Sequence, residues 1–374
     1  MKIAFVGIKG LPARGGAERV VEGIITRLIP LGVEPTVYCD RSYTPAGTLI
    51  PGVKLIRLPV LPGKYLRSTS LNILAALHAV FRGCYDLIHL HNIEASFVLP
   101  LLRLRYKVIS TSHGAAYWRA KWGPVAKRLI RLMDVPFVRW STAVTFVSAK
   151  DAREFQRRFG RETVYIPNGV GLEYLPDRTG AQKILAAHGL MEKQYLLFVA
   201  GRIEPTKGAH LAIEAVNRLE NRYPLLVVGD LSQVLEYGRQ LKAMAGPNVR
   251  FQGLVEQRET LFGLMAGATC LVFPSLVEAM SMVLLEAASI GVPVVCSDIS
   301  ENLEFMGADA IYFDPAYIES LIEQLRWLLA HEQESRQIAD RAKARIRAEY
   351  SWDIVAARYD ELYRACVSGA GGLA

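Results

Sequence analysis

Short β-branched runs alternate with helically periodic segments along most of the chain. KIAFVG at Lys2 to Gly7 and YLLFVAGRI at Tyr195 to Ile203 each run into a glycine-containing loop and then an apolar-periodic helix. Around them lie PTVYC, KLIRL, DLIHLH, KVIST, AVTFVS and VYIPNG in the first half, and PLLVVGD, VRFQG, CLVFPS, PVVCS and AIYFD in the second. Runs of this kind separated by helical segments predict an α/β fold with a parallel sheet in each half. The polar stretch between about Gly171 and Gln194 is where the halves separate. After Asp314 the pattern is helical to the end, with a helix start predicted at Ser351 before WDIVAARYDELYRACV.

A length of 374 residues exceeds what one hydrophobic core serves, so two domains follow, residues 1–172 and 190–351. The five cysteines are scattered, without CxxC or Cys/His spacing, which argues against a disulfide framework or a zinc site and favours a reducing, cytoplasmic setting. Met1 to Gly7 is too short for a signal-peptide core, and no apolar stretch is long enough to span a bilayer. The net charge of +8 is concentrated: residues 101–140 hold nine Lys/Arg and a single acid, Asp134. A patch of that kind attracts phosphates or acidic lipids. Nucleic acid is not expected, because no helix-turn-helix, RRM or zinc pattern accompanies the charge.

The loop GIKGLPARGGAERVVEGI places Gly7, Gly10, Gly15 and Gly16 between a strand and a helix, where backbone N–H groups can meet an anion. It is neither GxGxxG nor a P-loop, and a plain strand-to-helix turn also accounts for it. In AGRIEPTKGAH, Arg202 and Lys207 follow a strand at the carboxyl end of a parallel sheet, where a fork-shaped cation and a point charge suit a diphosphate. In PSLVEAMSMVLLEAASIGVPVV, Glu278 and Glu286 stand among apolar residues and so need hydroxyl or cationic partners. With a helix beginning near Ser281, Glu286 falls in its second turn and Glu278 in the loop before it. There is no DxD pair, and no metal site or separate cofactor is expected.

GGAE in the first loop, His113-Gly114, VYIPNGV, GRIEPTKG and the E-x7-E pair Glu278/Glu286, in this order, resemble glycosyltransferase group 1 (family 4), retaining enzymes of the GT-B fold. That resemblance implies two Rossmann-like domains facing across a cleft, with a C-terminal helix (about 352–374) crossing back to the N-terminal one. It implies a nucleotide-diphosphate sugar donor, UDP first by family frequency, and a glycan or lipid-linked acceptor, as in cell-surface polysaccharide or glycolipid synthesis. Arg202 and Lys207 would hold the diphosphate, Glu286 the ribose and Glu278 a hydroxyl of the sugar. Gly15 and Gly16 would contact phosphate or acceptor, and His113 would lie beside the transferred sugar. Where many members read E-G/P-F-G, this chain has Glu278-Ala279-Met280-Ser281. A nucleotide-sugar epimerase or a binding-only pseudo-enzyme would share the diphosphate grip.

Trp118, Trp122, Val125, Leu129 and Leu132 recur at intervals of four and three, with Lys121, Lys127, Arg128 and Arg131 around them and Pro124 acceptable only in a first turn. Two readings fit this segment. One is an interfacial helix that draws residues 118–140 to an anionic membrane on its inner face; the other is a helix packing its stripe on the first sheet.

Overall fold

The computed structural model describes residues 1–63, 66–114, 123–219 and 223–369. Its strands are β1 (Lys2–Val6), β2 (Glu34–Asp40), β3 (Lys54–Leu58), β4 (Leu87–His91), β5 (Val108–Ser112), β6 (Ala143–Phe146) and β7 (Val164–Tyr165), then β8 (Leu196–Arg202), β9 (Leu225–Asp230), β10 (Val249–Gly253), β11 (Cys270–Phe273), β12 (Val294–Ser297) and β13 (Ile311–Phe313). They form two sheets, ordered β3-β2-β1-β4-β5-β6-β7 and β10-β9-β8-β11-β12-β13. Every pairing between named strands is parallel. Strand order reverses beside β1 in one sheet and beside β8 in the other, and the carboxyl end of such a strand is where doubly wound folds bind ligands.

Two compact units result, Met1–Gly169 with Trp352–Ala374, and Val170–Ser351. The polar stretch read as a break contains a helix, Arg178–Ala187, whose N-cap Asp177 accepts from Gly180 N at 3.0 Å. That helix packs on Arg258–Gly267 in the second unit. The C-terminal helix, Trp352–Ser368, belongs to the first unit and packs on Gly16–Leu28.

In the first unit Ala4, Val6, Ile88 and Leu90 share one apolar cluster with Ala75, Ala76 and Ala79 of helix Leu66–Arg82. Alternation then turns His89 and His91 of β4 to the opposite face of the sheet. There His89 Nδ1 meets Tyr363 Oη at 2.7 Å and its Nε2 meets Thr111 Oγ1 at 2.6 Å. The second unit has its own core, in which Phe198, Val227 and Val272 pack with Ile213, Val216 and Leu325. Among the described residues no helix is long and apolar enough to cross a membrane.

Candidate active site

Four of the expected residues lie in the second unit, on or after β8 and β11, and Lys207 and Glu278 are in contact. Arg202 is the last residue of β8, not the first of the loop, and its Cα is in register with Asp230 at the end of β9. Its Nε is buried without a hydrogen-bond partner. The short 3-10 turn Pro205–Lys207 follows and ends on Gly208, at φ +69°, where a Cβ would come within 2.0 Å of the Pro274 carbonyl oxygen. Only glycine allows that approach. It brings the β8 loop onto the β11 loop, and Leu276 N donates to Thr206 O at 2.8 Å. Ser275 Oγ donates to the same oxygen at 3.2 Å, while Ser297 Oγ, from the end of β12, donates to Ser275 O at 2.5 Å.

With the two loops fixed in this way, Lys207 Nζ lies 2.6 Å from Glu278 Oε1. Helix Met282–Ile290 begins beyond them, capped by Ser281, whose hydroxyl accepts from Leu284 N at 3.3 Å. Glu286 stands in its second turn and is 1% exposed, so it is no surface glutamate. A buried carboxylate requires a cation or hydrogen bonds, and Arg258 Nη2 lies 2.8 Å away. Arg258 opens helix Arg258–Gly267 and stacks over the rings of Tyr174 at 4.5 Å and Phe262 at 5.4 Å. A cation in a helix's first turn opposes the macrodipole; here Glu286 and the two rings offset that cost.

The first unit holds the remaining candidates. Gly15 is the N-cap of helix Gly16–Leu28, and a Cβ there would come within 2.4 Å of Glu18 Oε2. Around Gly16 nothing lies within 4 Å of such a Cβ. The loop carries its own anion, since Glu18 Oε1 accepts from Lys9 N at 3.2 Å. His113 directly follows β5, and its Nε2 lies 2.9 Å from Nδ1 of His91 at the end of β4, with the rings stacked at 14°. His91 Nε2 is buried without a partner. One proton is shared across the contact between His91 Nδ1 and His113 Nε2, which joins the two rings as a pair.

Two family models match the chain: Glycosyltransferase Family 4 over residues 14–174 and Glycosyl transferases group 1 over residues 181–345. The chain belongs to the group 1 (family 4) glycosyltransferases. Among curated relatives it is 27% identical to a glycogen synthase of Mycobacterium tuberculosis, over 76% of this chain and 70% of that one. It is 23% identical to an MMP alpha-(1->4)-mannosyltransferase of Mycolicibacterium hassiacum, over 98% and 99% of the two chains. Among solved structures, sucrose-phosphate synthase from Thermosynechococcus elongatus aligns with TM-score 0.82 at 21% identity, covering 98% of this chain and 99% of that one. Anabaena Alr3699/HepE in complex with UDP and glucose aligns with TM-score 0.80 at 21% identity, covering 98% and 100%. These likenesses establish the GT-B fold of this glycosyltransferase.

Sequence reading missed two members of the glycosyltransferase's polar framework. Arg258 is 28 residues from Glu286 and in no motif; its one sequence signal is a cation at a helix start, where an anion is favoured. His91, beside His89 in the DLIHLH strand, is the second, and its Nδ1 meets His113. In the basic segment the helix is Pro124–Leu132, with Gly123 as N-cap, so Trp118, Lys121 and Trp122 lie outside the described residues. Its apolar stripe does not pack on the sheet: Val125 is 74% exposed, and Leu129 and Leu132 are 57% each. Ile130 is the side chain that turns inward.

Burial holds both His89 and His91 well below the ordinary imidazole value, with His113 adding to the effect on His89, and His89 and then His113 adding to it on His91. Below about pH 6.5 the unfolded chain therefore binds protons that the folded enzyme refuses. The stability this contributes is complete above that pH and is lost as pH falls. Chemical unfolding followed from about pH 7.5 to 5 should show stability dropping by about 1.4 kcal/mol per pH unit per histidine. His89→Gln should lower that slope by about 1.4 kcal/mol per pH unit, and a slope unchanged by the substitution would contradict the assignment.

Proposed function

We propose that this enzyme transfers a sugar from a nucleotide-diphosphate sugar, UDP-linked, to a glycan or lipid-linked acceptor with retention of anomeric configuration and without a metal ion. The observation that carries the proposal is the Lys207–Glu278 contact beyond the carboxyl end of β8, with Arg202 ending that strand, its Nε buried and unpartnered. In the reaction the acceptor oxygen bonds to the anomeric carbon. The bond from that carbon to the diphosphate breaks with its electron pair going to phosphate, and the acceptor proton passes to the leaving diphosphate. Charge develops on the leaving group, where fixed cations act most strongly. Arg202 and Lys207 would meet it, taking the role a metal would otherwise fill. Glu286 would take the ribose and Glu278 a sugar hydroxyl, each releasing part of its cation's hold as donor binds. His113 would stand beside the sugar, and Gly15 and Gly16 beside phosphate or acceptor. The UDP complex of Anabaena Alr3699/HepE supports the choice of base.

A lipid-linked acceptor places the enzyme in the cytoplasm, against an anionic membrane surface. Supporting this is the outward stripe Val125, Leu129 and Leu132 with Lys127, Arg128 and Arg131 around it. Stabilisation by a panel of nucleotide sugars should single out a UDP donor. With acceptor present, NMR of the product's anomeric proton should report retention, and chelator should leave the rate unchanged. Inversion, or a chelator loss restored by Mg²⁺, would overturn the corresponding part.

A further inference from the structure

Helix Leu66–Arg82 carries apolar side chains on its solvent side as well as on its buried side. Leu71, Ala75, Ala76 and Ala79 turn inward and are at most 4% exposed. On the opposite side Leu66 is 55% exposed, Ile73 41%, Leu77 37% and Phe81 73%. At 100° per residue the last three fall within one narrow stripe, and the helix's only charges are Arg67 and Arg82, near its ends. An apolar stripe of this size on a surface helix marks an interaction site.

The stripe continues onto a neighbouring turn. Arg105 Nη1 donates to Val80 O at 2.6 Å and Tyr106 Oη to Ala79 O at 2.9 Å, which seats the turn against the helix's C-terminal end. Leu104, between exposed Arg103 and Arg105, is 76% exposed. No acid occurs from Arg41 through Tyr85. Helix Leu66–Arg82 touches Leu99–Leu102, which touches Asp134–Trp140, which touches Pro124–Leu132. The stripe and the basic helix therefore belong to one continuous layer of the first unit.

We propose that this outer face is a lipid-docking surface, inserting Ile73, Leu77, Phe81 and Leu104 at the acyl boundary of an anionic bilayer while Arg82, Arg103 and Arg105 meet its headgroups. Apolar side chains rimmed by cations are what an anionic interface selects. A second copy of the chain is a poorer occupant, because a two-fold contact through this face would set Arg82, Arg103 and Arg105 against their own images. The inference deepens the membrane reading above and rests on it for the choice of lipid. It names different residues, so the two fail separately.

The test is co-sedimentation of the full chain with vesicles of phosphatidylcholine alone or mixed with phosphatidylglycerol. The wild type should bind the anionic vesicles. Leu77→Ser with Phe81→Ser should weaken that binding about tenfold while leaving thermal unfolding and UDP stabilisation unchanged. Phe81→Trp should gain fluorescence quenching by brominated lipid, a positive signal that does not depend on a loss. Binding by the double variant equal to wild type, with no quenching, overturns the proposal. Should charge reversal at Lys127, Arg128 and Arg131 alone release the protein, the basic-helix reading stands and this one falls; the opposite pattern does the reverse. Failure of the wild type to bind anionic vesicles sinks both. A wild-type dimer that the double variant dissociates assigns the face to self-association and overturns the lipid.

Discussion

Lys207→Ala is expected to lower turnover of donor by roughly a hundred- to a thousandfold, the range found when one preorganised stabiliser of developing charge is removed. Lys207 is 26% exposed, and its partner Glu278 lies on a loop fixed independently through Thr206 O, so the variant should cost only about 1–2 kcal/mol of stability. The loss should appear in kcat more than in KM, because the leaving diphosphate carries more charge in the transition state than in the bound donor. Lys207→Arg keeps the charge without the point geometry and should recover part of the rate. A Lys207→Ala enzyme with wild-type kcat would remove the leaving-group role, whatever its effect on binding. If kcat survives and only KM rises, the lysine contributes uniform binding instead.

Legibility in the sequence followed the range of the interaction that fixes each feature. Strand alternation is local, and the run LLFVAGR gave β8, although Arg202, read as part of the loop after it, closes the strand. The cap at Ser281 is also local, and it puts Glu286 in the helix's second turn. What pairs with Glu286 is not local, since nothing near it announces Arg258. The return of the last helix to the first unit is a similar case. Trp352 lies where Gly23 and Gly169 have no side chains: a Cβ at either would come within 2.4 and 2.5 Å of the indole. Periodicity shows that Trp352 begins a helix, but a match between an indole and two distant glycines has no period. The segment read from Trp118 to Leu132 as one amphipathic stripe shows the other side of the same limit. Spacing identifies which side chains share a face, and only packing decides whether that face is covered; Val125, Leu129 and Leu132 are not.

The Arg258–Glu286 pair should separate stability from nucleotide binding. Glu286 is 1% exposed, and Arg258→Met would leave its carboxylate without this cation in an apolar surround, a change that costs about 3–5 kcal/mol when a buried pair is broken from one side. Urea unfolding should register a loss of that order. Adding Glu286→Met removes the buried carboxylate as well, and because well-packed apolar replacements of buried pairs are close to neutral, most of the stability should return. Nucleotide binding should not return with it: with the ribose carboxylate gone, the rise in melting temperature on adding UDP should stay small. Arg258→Met with Glu286 intact should also lose most of that rise, since the carboxylate would no longer be held in place for the ribose. A double variant that regained both stability and UDP response would show that the pair is structural and that the ribose is held elsewhere. Full UDP stabilisation in Arg258→Met alone would mean that Glu286 keeps its orientation through other contacts, and Arg258 would then have no part in positioning it.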